Sequence, residues 1–228
     1  MKRVFLFSLL IFEYPVFLAS HINAQQNDFQ CWPSVVVSAE VLKNLKLQFE
    51  EEARFHENIT RIYKQINDIG LSYRINKYIK TAIVYRIEAD WKNADTYAWR
   101  RGIYADLSLS HEAGRFSFGY RARIATAKVE INEKQPLFMG FRNRHKLSIE
   151  YNIKNSRFTP LVEGEIFLNL GDNDTNGVSA YRAWIGVNYD FNKLHEVGLK
   201  YGIDQELNIP DPLRAFIIAF HYSLNLKL

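Results

Sequence analysis

Long runs in which every second residue is apolar set the tightest limit on what this chain can fold into. Leu45, Leu47, Phe49, Ala53 and Phe55 alternate with Lys46, Gln48, Glu50, Glu52 and Arg54. Ile79, Thr81, Ile83, Tyr85 and Ile87 alternate with Lys80, Arg86 and Glu88. The same pattern returns at Ile103 to Leu109, Phe116 to Ile124, Leu147 to Tyr151, Tyr181 to Tyr189 and Val197 to Ile203. A strand sends successive side chains to opposite faces, so each run has one apolar face and one polar or charged face. No segment holds a 3.6-residue period over a helix-length window, which excludes amphipathic helices as the building unit.

Eleven runs are present once 34–42, 62–74 and 159–168 are counted. Tight turns are expected at 43–44, 76–77, 111–114, 154–156 and 190–193, where Asn, Gly, Asp and Ser interrupt the pattern. Longer connections are expected at about 56–61, 91–98, 127–140, 169–178 and 205–212. Short turns alternating with long polar loops join antiparallel strands in an up-and-down order. Bacterial single-chain barrels usually have an even strand count, so the expectation is ten to twelve strands. Either a further strand lies around 25–33 or one run stays out of the wall. A hydrophobic share of 47% excludes a disordered chain. The single cysteine excludes an internal disulfide and a cysteine-rich zinc site.

Alternation alone does not say which face meets water, since a soluble barrel that binds an apolar ligand has the same period. Three features favour a membrane. Several runs reach ten residues or more, the length of a tilted membrane strand. Tyr and Phe gather near run ends, as in interfacial girdles. The chain closes on Phe220, Tyr222, Leu224, Leu226 and Leu228. That ending resembles the carboxy-terminal strand by which bacterial outer-membrane barrels are recognised for assembly, although Leu228 stands where Phe is usual. Met1-Lys2-Arg3 followed by the apolar residues Val4 to Phe12 has the form of a secretory signal, with Ala24 before the expected cut. Glu13 and Pro15 make residues 1–24 a poor spanning helix. Asp28-Phe29-Gln30 before Cys31 is not a lipobox. Removing residues 1–24 takes away two basic residues and one acidic one, lowering the net charge from +4 to +3, too little to suggest a nucleic-acid partner. The expected fold class is therefore all-β: a transmembrane antiparallel up-and-down β-barrel over 25–228, in the bacterial outer membrane after cleavage of 1–24. Glu51 falls in the apolar phase, and a bulge or a place above the bilayer would accommodate it.

Phe29-Gln30-Cys31-Trp32, then residues 49–55 (Phe-Glu-Glu-Glu-Ala-Arg-Phe), 70–78 (Gly-Leu-Ser-Tyr-Arg-Ile-Asn-Lys-Tyr) and Tyr85-Arg86 follow one another in an order that resembles a known family. It is a domain-of-unknown-function family of secreted Bacteroidetes proteins that open on Phe-Gln-x-Trp. The resemblance extends over nearly all of 28–228. It implies an outer-membrane barrel and implies no activity.

The charged face supplies the candidate site. With that face inward, Glu50, Glu52, Arg54, Arg86, Arg115, Arg121, Arg123, Arg142, Arg144, Glu150, Glu163, Glu165 and Arg182 line the lumen. Two outcomes compete. Mixed charge can pair into a plug, because buried charges need partners. Alternatively, the arginines can draw small anions through a narrow channel. His221 and Ser223 share one strand face and offer a low-ranking alternative, since outer-membrane lipid A deacylases and phospholipases use a serine activated by histidine. In the expected phase Phe220, Tyr222 and Leu224 take the lipid side instead, and no acidic residue follows Ser223 in the chain, although Glu196 or Asp204 could approach in space. The acidic stretch 171–177 lacks the glutamate and helices of an EF-hand. No His or carboxylate spacing suggests a metal, and no cofactor motif is present. The expected partners are outer-membrane lipid and the barrel-assembly machinery, and nothing points to an oligomeric state.

Overall fold

The computed structural model describes residues 25–93, 96–126, 129–130, 141–170 and 177–227. The expected signal 1–24, the acidic loop 171–176 and Leu228 lie outside them. The described chain is all strand and turn: β1 (Gln26–Leu42), β2 (Leu45–His56), β3 (Arg61–Arg74), β4 (Ile79–Asn93), β5 (Thr96–Ala113), β6 (Phe116–Thr126), β7 (Val129–Glu130), β8 (Phe141–Tyr151), β9 (Phe158–Leu170), β10 (Gly177–Asp190), β11 (His195–Glu206) and β12 (Leu213–Lys227). Each strand pairs with its sequence neighbours, and β1 pairs with β12, so one sheet closes on itself. The two-residue β7 extends the β6 side of β5, pairing Glu130 with Arg100, and is not a separate stave. The wall therefore has eleven strands.

An odd count has a geometric consequence. In an up-and-down ring every neighbouring pair is antiparallel except the pair that closes it. That pair is β1 with β12, which run parallel from Gln26↔Leu213 to Glu40↔Lys227. The expectation of a wholly antiparallel wall is corrected at this seam. Residues 25–33 are the first half of the 17-residue β1 and not a strand of their own.

At one mouth the turns are 43–44, 75–78, 114–115, 152–157 and 191–194. Asn44 and Gly114 adopt left-handed φ of 68° and 64°, the conformation that a tight hairpin needs. At the opposite mouth, two connections expected to be long are short. The β2–β3 link is 57–60, and β4 and β5 run to Asn93 and from Thr96. Trp91 and Tyr97, read from sequence as loop residues, face each other across that hairpin at 5.8 Å and continue the strand pattern.

Burial is inverted relative to a water-soluble barrel. Asp68 and Glu88 are 3% and 0% exposed, whereas Leu147 and Ile185 are 64% and 62% exposed. Val35, Phe49, Ile69, Ile83, Leu107 and Leu199 join the outer apolar face. Aromatic clusters rim it: Phe158, Tyr189 and Phe191 with Phe116, Phe118 and Tyr151 near the short-turn mouth, and Trp91, Tyr97 and Trp99 near the other. Glu51 does face outward, and no bulge accommodates it, since Val35↔Glu51↔Asn67 are in regular register. Gln65 Nε2 donates to its carboxylate at 2.8 Å, so a small polar break crosses the outer face of β2 and β3.

Candidate functional site

The inner residues of adjacent strands meet in register, and that register selects the ion pairs. Asp68↔Arg86 are cross-strand neighbours, and Arg86 donates to both carboxylate oxygens at 2.7 and 2.6 Å. Tyr104 on β5 reaches over β4 and donates its hydroxyl to Asp68 at 2.6 Å. Asp106↔Arg123 repeats the two-point pairing at 2.7 and 2.8 Å, and the Arg123 guanidinium lies 3.7 Å from the Tyr104 ring centre. Lys64 and Arg100 share Asp90 at 2.9 and 2.7 Å. Lys146 and Lys200 share Glu163 at 2.8 and 3.1 Å. Arg121 bonds Glu165 at 2.8 Å across β8, and Arg182 pairs with Asp204. Contacts that skip a strand identify this face as the lumen.

Trp32 fills the β1 side of that lumen at 4% exposure. Its indole N–H donates to Gln30 Oε1 at 2.9 Å. The Arg54 guanidinium lies 3.7 Å from the indole ring centre, and Arg182 from β10 reaches to 4.8 Å. Trp184 meets it edge-on at 5.9 Å. Arg54 is held in turn by Glu52 at 2.6 Å. Two cations stacked on one buried indole make a compact cross-lumen block. Beside it remain cavities of about 450, 200 and 260 Å³, and Arg121 lines all three.

Residues 29–210 of the sequence match the family described as "Protein of unknown function (DUF2490)". The chain belongs to that family. No curated protein and no solved structure shows a significant match. The match begins at Phe29 and runs through eleven of the twelve strand segments, stopping before β12.

In this DUF2490 barrel most of the sequence-derived candidates sit in the inner phase, with one exception. Arg115 lies exposed in the β5–β6 turn and reaches Tyr151 Oη at 3.4 Å, because β5 runs on to Ala113 and leaves only two residues for the turn. Glu50 and Glu150 take the inner phase of β2 and β8. Arg142 and Arg144 line a small pocket of about 20 Å³ with Arg86 and Arg123. Arg144 is the direct neighbour of Arg123, a like-charge pair, and its Nε has no hydrogen-bond partner among the described residues. His221 also faces inward, its ring over Gly198 where a Cβ would come within 1.8 Å of ring carbon Cε1. Its Nε2 lies 3.3 Å from Glu196 Oε1, and Ser223 is the registered neighbour of Glu196. The structure thus gathers a His, an acid and a Ser, with the histidine turned to the acid and no hydrogen bond from Ser223 to His221 among the described contacts. No three His, Cys, Asp or Glu side chains of the described residues form a metal cluster. Trp32, Asp68, Asp106 and Tyr104 are the central lumen residues that motif reading passed over. The phase of Asp68, Tyr104 and Asp106 follows from the alternation, whereas Trp32 precedes the run counted at 34–42 and takes no phase from it.

Proposed function

We propose that this protein is a non-enzymatic outer-membrane β-barrel, structural or interaction-type, whose lumen is closed by packed mixed charge. The carrying observation is the inverted burial: apolar residues cover the outside of a closed ring while paired carboxylates and guanidinium groups fill the inside. Such an exterior is unfavourable in water and suits hydrocarbon, since burying apolar area contributes about 25 cal/mol per Å². The aromatic rims, the signal-like segment 1–24 and the alternating end of β12 support the same reading. Its implied partners are outer-membrane lipid and the barrel-assembly machinery.

A second reading, a narrow path for small anions, has its own support in the cavities that Arg121 lines and in Arg142 and Arg144, which form no ion pair within 4.0 Å among the described residues. Membrane fractionation followed by planar-bilayer recording separates the two. The closed-barrel reading expects the chain in the outer-membrane fraction, resistant to carbonate and salt washing, and electrically silent after insertion. Discrete anion-selective openings would replace it with the channel reading. Recovery in the soluble periplasmic fraction would overturn both.

A further inference from the structure

Follow one row of inner residues around the wall near the short-turn mouth. Arg74 on β3 is registered with Lys80 on β4, Lys80 with Ser108 on β5, Ser108 with Arg121 on β6, and Arg121 with Lys146 on β8. Four of the five positions are cationic, and two adjacent pairs are like-charge neighbours. Like charges placed directly opposite on a sheet are destabilising. Arg121 and Lys146 are compensated by Glu165 and Glu163. Arg74 and Lys80 have no carboxylate in ion-pair range among the described residues, and every turn at this mouth is described.

That pair, whose Lys80 has the Asp106 carboxylate only at longer range, borders a lumen cavity. It holds about 450 Å³, within the range of small-molecule pockets, about 300–1,000 Å³. Lys77 stands at its rim, Ser108, Ser110 and Ser148 present hydroxyls, and Glu112 is its single acidic lining residue. A second chamber of about 200 Å³ shares Lys80, Ser108 and Arg121 with it and is lined on its other sides by Glu50, Asp68 and Asp106, so the cationic surplus belongs to the outer cavity. The Ser148 hydroxyl occupies the space over Gly119, where a Cβ would stand 2.4 Å from its Oγ.

We infer that this basic vestibule is a binding site for a small organic polyanion, a sugar phosphate or polycarboxylate, held by Arg74 and Lys80 with the seryl hydroxyls. Guanidinium and ammonium donors supply charge-assisted bonds to phosphate or carboxylate oxygens, and the hydroxyls supply neutral ones to the rest of the solute. The site needs only the closed ring and does not depend on whether the lumen conducts.

Calorimetric titration of the full chain, purified in an uncharged detergent at low salt, tests it. The probes are glucose 6-phosphate, citrate and pyrophosphate, with glucose and chloride as controls. Saturable one-site binding of at least one polyanion is expected, with none for glucose. Arg74→Gln and Lys80→Gln should each weaken it at least tenfold. Arg115→Gln, which removes a cation at the same mouth but in a turn, should change it less than twofold. Retained β circular dichroism certifies that each variant is folded. No binding by folded protein, or equal weakening by all three substitutions, overturns the vestibule. Neither result touches the membrane assignment, which fractionation decides separately.

Discussion

Asp68 accepts three hydrogen bonds from Arg86 and Tyr104 in a place nearly sealed from solvent. Removing one partner of a buried, hydrogen-bonded pair leaves the other charge uncompensated, at a cost of about 3–5 kcal/mol. Asp68→Ala should therefore lower folding stability by about 3 kcal/mol, measured as the urea midpoint of refolding in micelles. Adding Arg86→Met should recover more than half of that loss, because the stranded guanidinium is then gone. If the double variant is no more stable than the single one, the loss comes from the cavity and not from the charge. The sequence showed that Asp68 and Arg86 share a face, since each occupies the polar phase of its run. It could not show that they touch. That depends on the stagger between β3 and β4, which is fixed by the turn at 75–78 and by closure of the whole ring. Contacts such as Arg182 on Trp32 lie further out of reach, because they join strands that are neighbours only across the lumen.

Among the elements, β1 is the one whose role sequence reading misjudged. Its polar first half, with Gln26, Asn27, Asp28 and Gln30, hid a strand that continues the apolar phase through Phe29, Cys31, Pro33 and Val35. Recognising this turns a search for a twelfth strand into an eleven-strand wall with a parallel seam. The loops at 56–61 and 91–98 were overestimated for a related reason: charged and aromatic residues at strand ends look like loop composition when the partner strand is unknown. The seam can be checked with the protein's only cysteine. Cys31 is registered with Ile218 on β12, both in the outer phase. Ile218→Cys should therefore crosslink to Cys31 under mild oxidation, seen as a gel mobility shift reversed by reductant. Ile217→Cys and Ala219→Cys point inward and should stay reduced. Since a one-residue slip exchanges the two faces, equal crosslinking at all three positions would refute the registered seam.

For the whole molecule, the question is how an eleven-strand ring could be closed, as the proposed function requires. A ring of this size is wider than an eight-strand barrel, whose interior side chains just fill the space. Small inner residues would leave a pore. The large ones do not: Arg54, Trp32 and Arg182 stack across the interior, Trp184 abuts them, and Glu52, Glu165 and Asp204 anchor the guanidinium groups. This block rests on the wall side formed by β1, β2 and β10, while the basic vestibule opens on the side formed by β3 to β8. On the proposed closed-lumen reading, occlusion depends on three side chains more than on backbone, and truncating them should open the barrel without unmaking the sheet. Trp32→Ala, Arg54→Ala and Arg182→Ala in one chain should give discrete bilayer conductance where the parent gives none, with β circular dichroism preserved. Each truncation also removes packing worth about 3–5 kcal/mol for a buried tryptophan, so a single Trp32→Ala variant serves as the stability control. A folded triple variant that inserts and stays silent would place the occlusion elsewhere, with the four arginines Arg86, Arg123, Arg142 and Arg144 around one small pocket as the next candidate. There the repulsion among guanidinium groups, and not packing, would set what passes.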